Sequence, residues 1–134
     1  MFSGQLLKMC ILCAVYQFSN IDSINSAFCD VYVYKFSAPA KPDEVKVWHG
    51  QIDNDLRSRV SCLILNLAFP EKNLHALYDP KILDVFQFIH QAENEIYSIA
   101  DDMTDYFELI IYEVIKIRSD TENYKLFNDI INGL

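Results

Sequence analysis

The chain has 134 residues, of which 51% are hydrophobic, and it carries a formal net charge of −8 at pH 7. This length fits one domain with one core, so we expect residues 1–134 to form a single domain. The negative charge repels nucleic-acid phosphates and anionic lipid headgroups. Composition therefore argues against nucleic-acid and membrane-surface binding, and it favours basic partners.

The N-terminal segment, residues 1–22, is predicted to add a helix to the domain, because apolar side chains recur at helical spacing over residues 4–19. The same segment resembles a secretory signal peptide, but it carries only one Lys and no clear cleavage site follows it. The apolar run is too short to span a bilayer, and we expect no membrane anchor at either end of the chain.

Four cysteines stand at positions 10, 13, 29 and 62, and three of them lie in apolar runs. Cysteine in such runs behaves as a small hydrophobe. The sequence therefore favours free thiols in a reducing compartment over disulfides. Cys10 and Cys13 have a metal-like spacing, but a structural zinc site needs four ligands. We expect neither a metal nor a cofactor.

Residues 23–37 are ambiguous, because their Val/Tyr alternation suits a strand while Ser23 or Asn25 could cap a helix. The prolines in residues 37–42 predict a loop. Residues 44–67 are predicted to form an amphipathic helix or a bent pair of helices. After Pro80, residues 81–99 show the clearest amphipathic pattern in the chain.

Residues 106–117 are apolar around nearly the whole helix circumference, which predicts burial on most sides. Asp101, Asp102 and Asp105, which precede this segment, are interpreted as helix caps rather than as a catalytic cluster. A short polar helix is predicted after Asp120. Together these elements predict an all-α fold, a compact helical bundle wrapped around a central hydrophobic helix.

Catalytic motifs are absent from the sequence, which has no Gly-rich phosphate loop, no nucleophile elbow and no zinc-protease His pair. The three histidines, His49, His75 and His90, are scattered and are interpreted as structural or surface residues rather than catalytic ones. We therefore expect a protein-binding module and not an enzyme.

Three segments, taken in order, resemble the Bcl-2 apoptosis-regulator family. Residues 30–37 are similar to the end of the family's first helix, and residues 52–56 are similar to its death-motif core. Residues 101–110 are similar to the stretch that leads into the family's central helix. Tyr106 stands at the family's Trp, Phe107 replaces its Gly, and Glu108 replaces the Arg that pairs with a bound helix.

The resemblance implies an inhibitor of apoptosis that sequesters pro-apoptotic Bcl-2-family proteins by holding their amphipathic death-motif helix in a hydrophobic groove. The shortness of the chain resembles viral members, which implies a homodimer in the host cytoplasm or peripherally at mitochondria. The predicted groove residues are Ile52, Leu56, Val60, Leu63, Val85, Phe86, Ile89, Tyr106 and Glu108.

Two alternatives remain open at this point. A viral domain with the same fold could modulate host innate-immune signalling through a flat surface, with the groove closed by Phe107. The chain could also be a small secreted helical protein that is cleaved near residues 20–27 and stapled by a Cys29–Cys62 disulfide.

Overall fold

A computed structural model describes residues 23–36 and 38–134 of the chain, and this part contains helices and no strands. The α-helices are α1 (Ser23–Lys35), α2 (Asn54–Ala68), α3 (Ile82–Ile99), α4 (Met103–Ser119) and α5 (Thr121–Ile131). Two 3-10 helices, Val47–Gln51 and Leu74–Tyr78, precede α2 and α3 respectively. The predicted all-α helical bundle is confirmed. The helix predicted at 4–19 lies outside the described residues.

Aspartates fix the start of three helices by accepting a backbone N–H three residues further along the chain. The distances are 2.8 Å for Asp53, 2.7 Å for Asp102 and 3.2 Å for Asp120. A side-chain oxygen in this position satisfies one of the orphan donors of the first turn. Asp120 also ends α4, so the same residue closes one helix and opens the next. Of the three aspartates interpreted as caps of α4, Asp102 is the N-cap, whereas Asp105 lies in the first turn and accepts the backbone N–H of Asp101 at 2.9 Å.

The most buried α-helix of the described part is α2. It packs against α1, α3 and α4, and every residue from Val60 to Asn66 is buried. In contrast, α4 leaves the side chains of Tyr112 and Ile115 exposed to 65% and 55%. The prediction that residues 106–117 are buried on most sides is therefore wrong for the C-terminal half, where a second apolar stripe faces solvent.

Helix α1 covers the seam between α2 and α3, and the ambiguous segment 23–37 is therefore helical over Ser23–Lys35. Phe28 and Tyr32 meet the ring of Phe86 edge-on, with ring centroids 6.5 and 5.5 Å apart. These rings are fully buried. Burial of each large aromatic side chain contributes on the order of 2–3 kcal/mol, so this contact fixes α1 on the bundle.

Cys29 and Cys62 are free thiols in the structure, the first partly buried on α1 and the second buried on α2. The Cys29 sulfur accepts a weak hydrogen bond from the Asn66 side chain at 3.6 Å. The Cys29–Cys62 disulfide of the secreted-protein alternative is thus not formed. Cys10 and Cys13 lie outside the described residues.

A buried ion pair joins the three longest helices. Arg57 of α2 donates to both carboxylate oxygens of Glu93 of α3, at 3.0 and 2.8 Å, and Arg57 and Glu93 are 2% and 1% exposed. Tyr106 of α4 donates to the same carboxylate at 2.9 Å. The Arg57 guanidinium also lies 3.6 Å from the centre of the Tyr97 ring. Each buried polar group of the cluster therefore has a partner, as burial of a charge requires.

The protonation of this cluster follows from burial and from its neighbours. Burial raises the pKa of Glu93, and the hydrogen bonds from Arg57 oppose that rise. Burial and the adjacent Glu93 carboxylate raise the pKa of Tyr106 well above its usual value. The phenol therefore keeps its proton and acts as the donor.

Loss of the buried charge pair should destabilise the fold far more than loss of an exposed one. We expect Glu93→Gln to lower the free energy of unfolding by about 3 kcal/mol, because Arg57 stays buried without a counter-charge. The control is Asp55→Asn, which breaks the exposed Arg59–Asp55 pair of 3.1 Å and should cost less than about 1 kcal/mol. Urea denaturation measures both. Equal decreases in the free energy of unfolding would show that the buried pair contributes no more to stability than the exposed pair.

The two faces of α4 should respond differently to substitution. Ile110 is buried in the core, so Ile110→Asp places a charge there and should unfold the domain. Tyr112 is exposed, so Tyr112→Ser should change stability by less than about 0.5 kcal/mol. Circular dichroism during thermal unfolding compares the two. A folded Ile110→Asp variant would contradict the assignment of this face to the core.

His90 of α3 should make stability depend on pH. Its ring contacts Phe36 at 4.7 Å, and burial together with the nearby Arg57 charge lowers its pKa. The histidine of the unfolded chain then binds a proton more readily than that of the folded chain. The contribution of neutral His90 to stability is therefore present above the ordinary histidine pKa and is lost as pH falls through the pKa of the folded state. As pH falls from about 8 to about 5, the free energy of unfolding of His90→Gln, measured by urea denaturation, should decrease less than that of the wild type. Identical losses would rule this contribution out.

Candidate protein-interaction surface

Helix α4 has a second apolar stripe beside the one that it buries in the core. Ile111 is partly buried, and Tyr112 and Ile115 are exposed. Together with Glu108 they occupy positions i, i+3, i+4 and i+7, which lie on one side of a helix. Apolar side chains that adjoin one another on a helix surface make this stripe a candidate binding surface.

The side of α4 that faces α3 and α5 shows the direction of this stripe. Tyr106 reaches Glu93 of α3, and Glu113 and Ile117 line a pocket shared with α3 and α5. At 3.6 residues per turn, Ile115 lies on the opposite side of α4 from these three residues. The stripe therefore faces away from α3 and α5.

Helix α2 supplies the neighbouring wall. Its Arg57 binds α3, and its Asn66 contacts Cys29 of α1, so these two residues mark the sides turned to α3 and α1. The third side carries Leu56, Val60, Leu63 and Leu67 at positions i, i+4, i+7 and i+11. That side faces α4, because among the described helices α2 packs most extensively against α4.

We use the name α2–α4 face for the accessible rim of this contact, which comprises Leu56, Leu67, Ile111, Tyr112 and Ile115. Leu56, Leu67 and Ile111 pack partly on the core, so the face has a rigid floor. The α2–α4 face has the apolar composition and the two-helix geometry that suit an additional helix.

Charges lie at both ends of the stripe on α4. Glu108 stands at its N-terminal end, and the exposed Arg118 stands at its C-terminal end. On α2, the exposed Asp55 is paired with Arg59 at 3.1 Å. Because such exposed pairs contribute little to stability, these charges remain available to orient a ligand.

The residues predicted to line a ligand groove fall mostly in the core. Leu56 and Glu108 are partly buried and border the α2–α4 face. The remaining seven are buried, so a groove lined by them would require the core to open. They are Ile52, Val60, Leu63, Val85, Phe86, Ile89 and Tyr106.

The residues that sequence reasoning missed are Leu67, Ile111, Tyr112 and Ile115. A signal for three of them was present, since residues 106–117 are apolar around nearly the whole circumference of the helix. A helix with two apolar stripes can bury both, or it can bury one and offer the other to a partner. The sequence was interpreted only in the first way.

Nothing in the described part of the chain groups three or more metal-ligating side chains. None of the described helices is both long enough and apolar enough to cross a membrane.

Comparison with known proteins identifies the family. The family model of the KIX domain matches residues 43–123, which contain both 3-10 helices and helices α2, α3 and α4. Protein cbp-1 of Caenorhabditis elegans is 30% identical over 87 residues, which are 65% of this chain and 4% of the C. elegans protein. The chain thus spans a small fraction of the length of that relative. The search of solved structures found no match.

These matches contradict the resemblance to the Bcl-2 family and what it implied. Inhibition of apoptosis, capture of death-motif helices, a viral origin and a place in the host cytoplasm or at mitochondria are not supported. The innate-immune and secreted-protein alternatives are not supported either. The short motifs misled because they are local helix signals: in residues 52–56, Asp53 caps α2, and in residues 101–110, Asp102 caps α4.

The match covers more than half of the chain and includes the buried charge pair and both helices of the α2–α4 face. The bundle described above is therefore that of a helical protein-interaction domain, and the chain belongs to the KIX domain family.

Proposed function

We propose that this domain binds amphipathic helices from the activation domains of transcription factors, and that it does so on the α2–α4 face. The exposed apolar stripe of α4 supports the proposal most directly, because Tyr112 and Ile115 are accessible on the same side of a helix as the partly buried Ile111. Membership of the KIX family supports the class of partner, since KIX domains are interaction domains of transcriptional coactivators.

The shape of the α2–α4 face defines the ligand. Two packed helices leave a shallow seam along their contact, into which a third helix can lay one apolar stripe. Such a ligand needs apolar anchors at i, i+3 or i+4, and i+7. Large ligand side chains that pack around Ile111, Tyr112 and Ile115 should contribute most of the binding free energy, because a few buried anchors carry most of the energy of an interface.

The charge of the domain restricts the ligand further. The net charge of −8 repels strongly acidic segments, and Glu108 adjoins the apolar stripe. We therefore propose that preferred ligands carry basic residues near the anchor that reaches Glu108. Complementary charge raises the association rate and weakens with added salt.

The proposed setting is a nuclear, transcription-related protein. This follows from the kind of partner and from the relative cbp-1, of which the matched region is only a small part. The domain itself needs no bound group or metal for such a role, because recognition uses side-chain packing and charge alone.

The test is a binding titration by calorimetry with two designed amphipathic helical peptides. One designed probe carries Leu at i, i+3, i+4 and i+7 with Lys elsewhere, and its partner probe has Glu in place of Lys. We expect the Lys probe to bind with a Kd of about 10 μM, roughly −7 kcal/mol. Ile115→Asp should weaken it at least about tenfold, because a charge then stands in the apolar seam.

The matched control is Leu126→Asp on α5. Leu126 is 56% exposed, almost the same as Ile115, but it lies on a different helix. This variant should bind the probe as the wild type does. Equal weakening by both variants, or equal binding of the Lys and Glu probes, would contradict the proposed face or its charge preference.

A further inference from the structure

Two cysteine side chains meet where α1 lies on α2. Cys29 of α1 is partly buried, and Cys62 of α2 is buried. The side-chain amide of Asn66, one turn after Cys62 on the same side of α2, donates to the Cys29 sulfur at 3.6 Å. The Cys62 thiol is also hydrogen-bonded to the Cys29 sulfur. The two sulfurs are therefore neighbours, and solvent reaches the one on α1.

The surroundings of Cys29 favour its thiolate form. The hydrogen bond from Cys62 lowers the pKa of Cys29, burial opposes this effect, and the hydrogen bond from Asn66 lowers the pKa further. The positive charge of Lys72 acts in the same direction and the carboxylate of Asp30 acts against it, with a lowered pKa as the result. The hydrogen bond to Cys29 and burial raise the pKa of Cys62. The pair thus combines a nucleophilic thiolate with a thiol that keeps its proton.

Asn66 has a second polar atom beside Cys29. Its side-chain oxygen is buried, and no donor from residues 23–36 or 38–134 reaches it. A buried acceptor without a donor is destabilising, so native structures rarely leave one unless the site has a further role. A hydroxyl group on the Cys29 sulfur is a donor of the kind that this oxygen lacks. The amide of Asn66 thus suits both the thiolate of Cys29 and its sulfenic acid.

We propose that Cys29 is a site of reversible oxidation by hydroperoxides and that Cys62 is the thiol that resolves the oxidised form into a disulfide. Redox-sensing cysteines are characteristically accessible, easily ionised and placed next to a second thiol. Disulfides inside cells, where they occur, are usually transient ones of this kind. The two free thiols of the structure are then the reduced state of the site.

The chemistry takes place in two steps. The Cys29 thiolate attacks one oxygen of hydrogen peroxide, the O–O bond breaks, and the leaving hydroxide takes up a proton to become water. The sulfur of Cys62 then attacks the Cys29 sulfenic acid, an S–S bond forms and the S–O bond breaks. The proton of Cys62 leaves with the second hydroxide as water. Two thiols are oxidised by two electrons, and one peroxide is reduced to two waters.

The disulfide would tie α1, which precedes the family match at residues 43–123, to α2, which lies within it. A cross-link between distant positions removes conformations from the unfolded chain and so stabilises the folded one. Asn66 marks the side of α2 that is turned to α1, whereas the α2–α4 face lies on the side turned to α4. The proposal therefore does not depend on the proposed function.

The first test maps the products of oxidation. The reduced full chain is treated with hydrogen peroxide, the remaining thiols are alkylated, and the chain is digested and analysed by mass spectrometry. We expect a Cys29–Cys62 cross-link to form before Cys10 or Cys13 is oxidised. The control is the same treatment in urea, which should no longer favour this pair because the fold that joins it is lost. Absence of the cross-link under native conditions, or an equal yield in urea, would overturn the proposal.

Single substitutions separate the roles of the residues. Cys62→Ser removes the resolving thiol and should leave Cys29 as a sulfenic acid that dimedone traps. The matched variant Cys29→Ser should leave Cys62 unlabelled by dimedone, because the remaining thiol is buried and protonated. Asn66→Ala should move the pH midpoint of Cys29 alkylation upward, which a purely structural role of Asn66 would not do. Dimedone labelling of Cys62 instead of Cys29 would contradict the assignment.

Urea denaturation measures the consequence for the fold. The oxidised wild type should unfold at a higher urea concentration than the reduced wild type, and dithiothreitol should reverse the shift. Cys62→Ser, which cannot form the disulfide, should show no such increase after the same treatment. An equal increase in Cys62→Ser would show that the shift has another origin and would refute the cross-link between α1 and α2.

Discussion

The buried pair of Arg57 and Glu93 is the interaction on which the rest of the bundle depends. Burial of two charges destabilises a fold unless their hydrogen bonds are complete. Each group that bonds to Arg57 or Glu93 must therefore lie at a defined position. Arg57 meets Glu93 of α3, the carbonyl oxygen of Ala40 at 2.9 Å and the Tyr97 ring, while Tyr106 of α4 completes the carboxylate. These contacts set the alignment of α2, α3 and α4 along one another. They thereby also fix the relative positions of the two helices that form the α2–α4 face.

Helix positions could be predicted from the sequence, because periodicity and capping are local properties of the chain. Asp53, Asp102 and Asp120 start helices as their sequence context indicates. Which helix is the most buried could not be predicted in this way. Helix α2 contains Arg57 and Asn66, which lower its apparent hydrophobicity, although both are buried with partners in other helices. Only tertiary contacts show that these polar residues belong to the core.

Of the candidate site, only residues that border it could be predicted from the sequence. Leu56 and Glu108 were predicted and do border the α2–α4 face, whereas buried residues such as Phe86 were predicted as groove residues because they lie on strong apolar stripes. Hydrophobic periodicity identifies a stripe but does not say whether the chain or a partner covers it. The mistaken family resemblance had a similar origin, since capping aspartates followed by an apolar helix occur in many helical domains.

Asp120 has a consequence for motion. Because this one residue closes α4 and opens α5, no flexible linker separates the two helices. Any swing of α5 must be absorbed by the backbone torsions at that junction, and it must also pull the Tyr124 ring away from Phe69. The orientation of α5 relative to α4 is therefore restrained both by this one-residue junction and by the stacking of Tyr124 on Phe69.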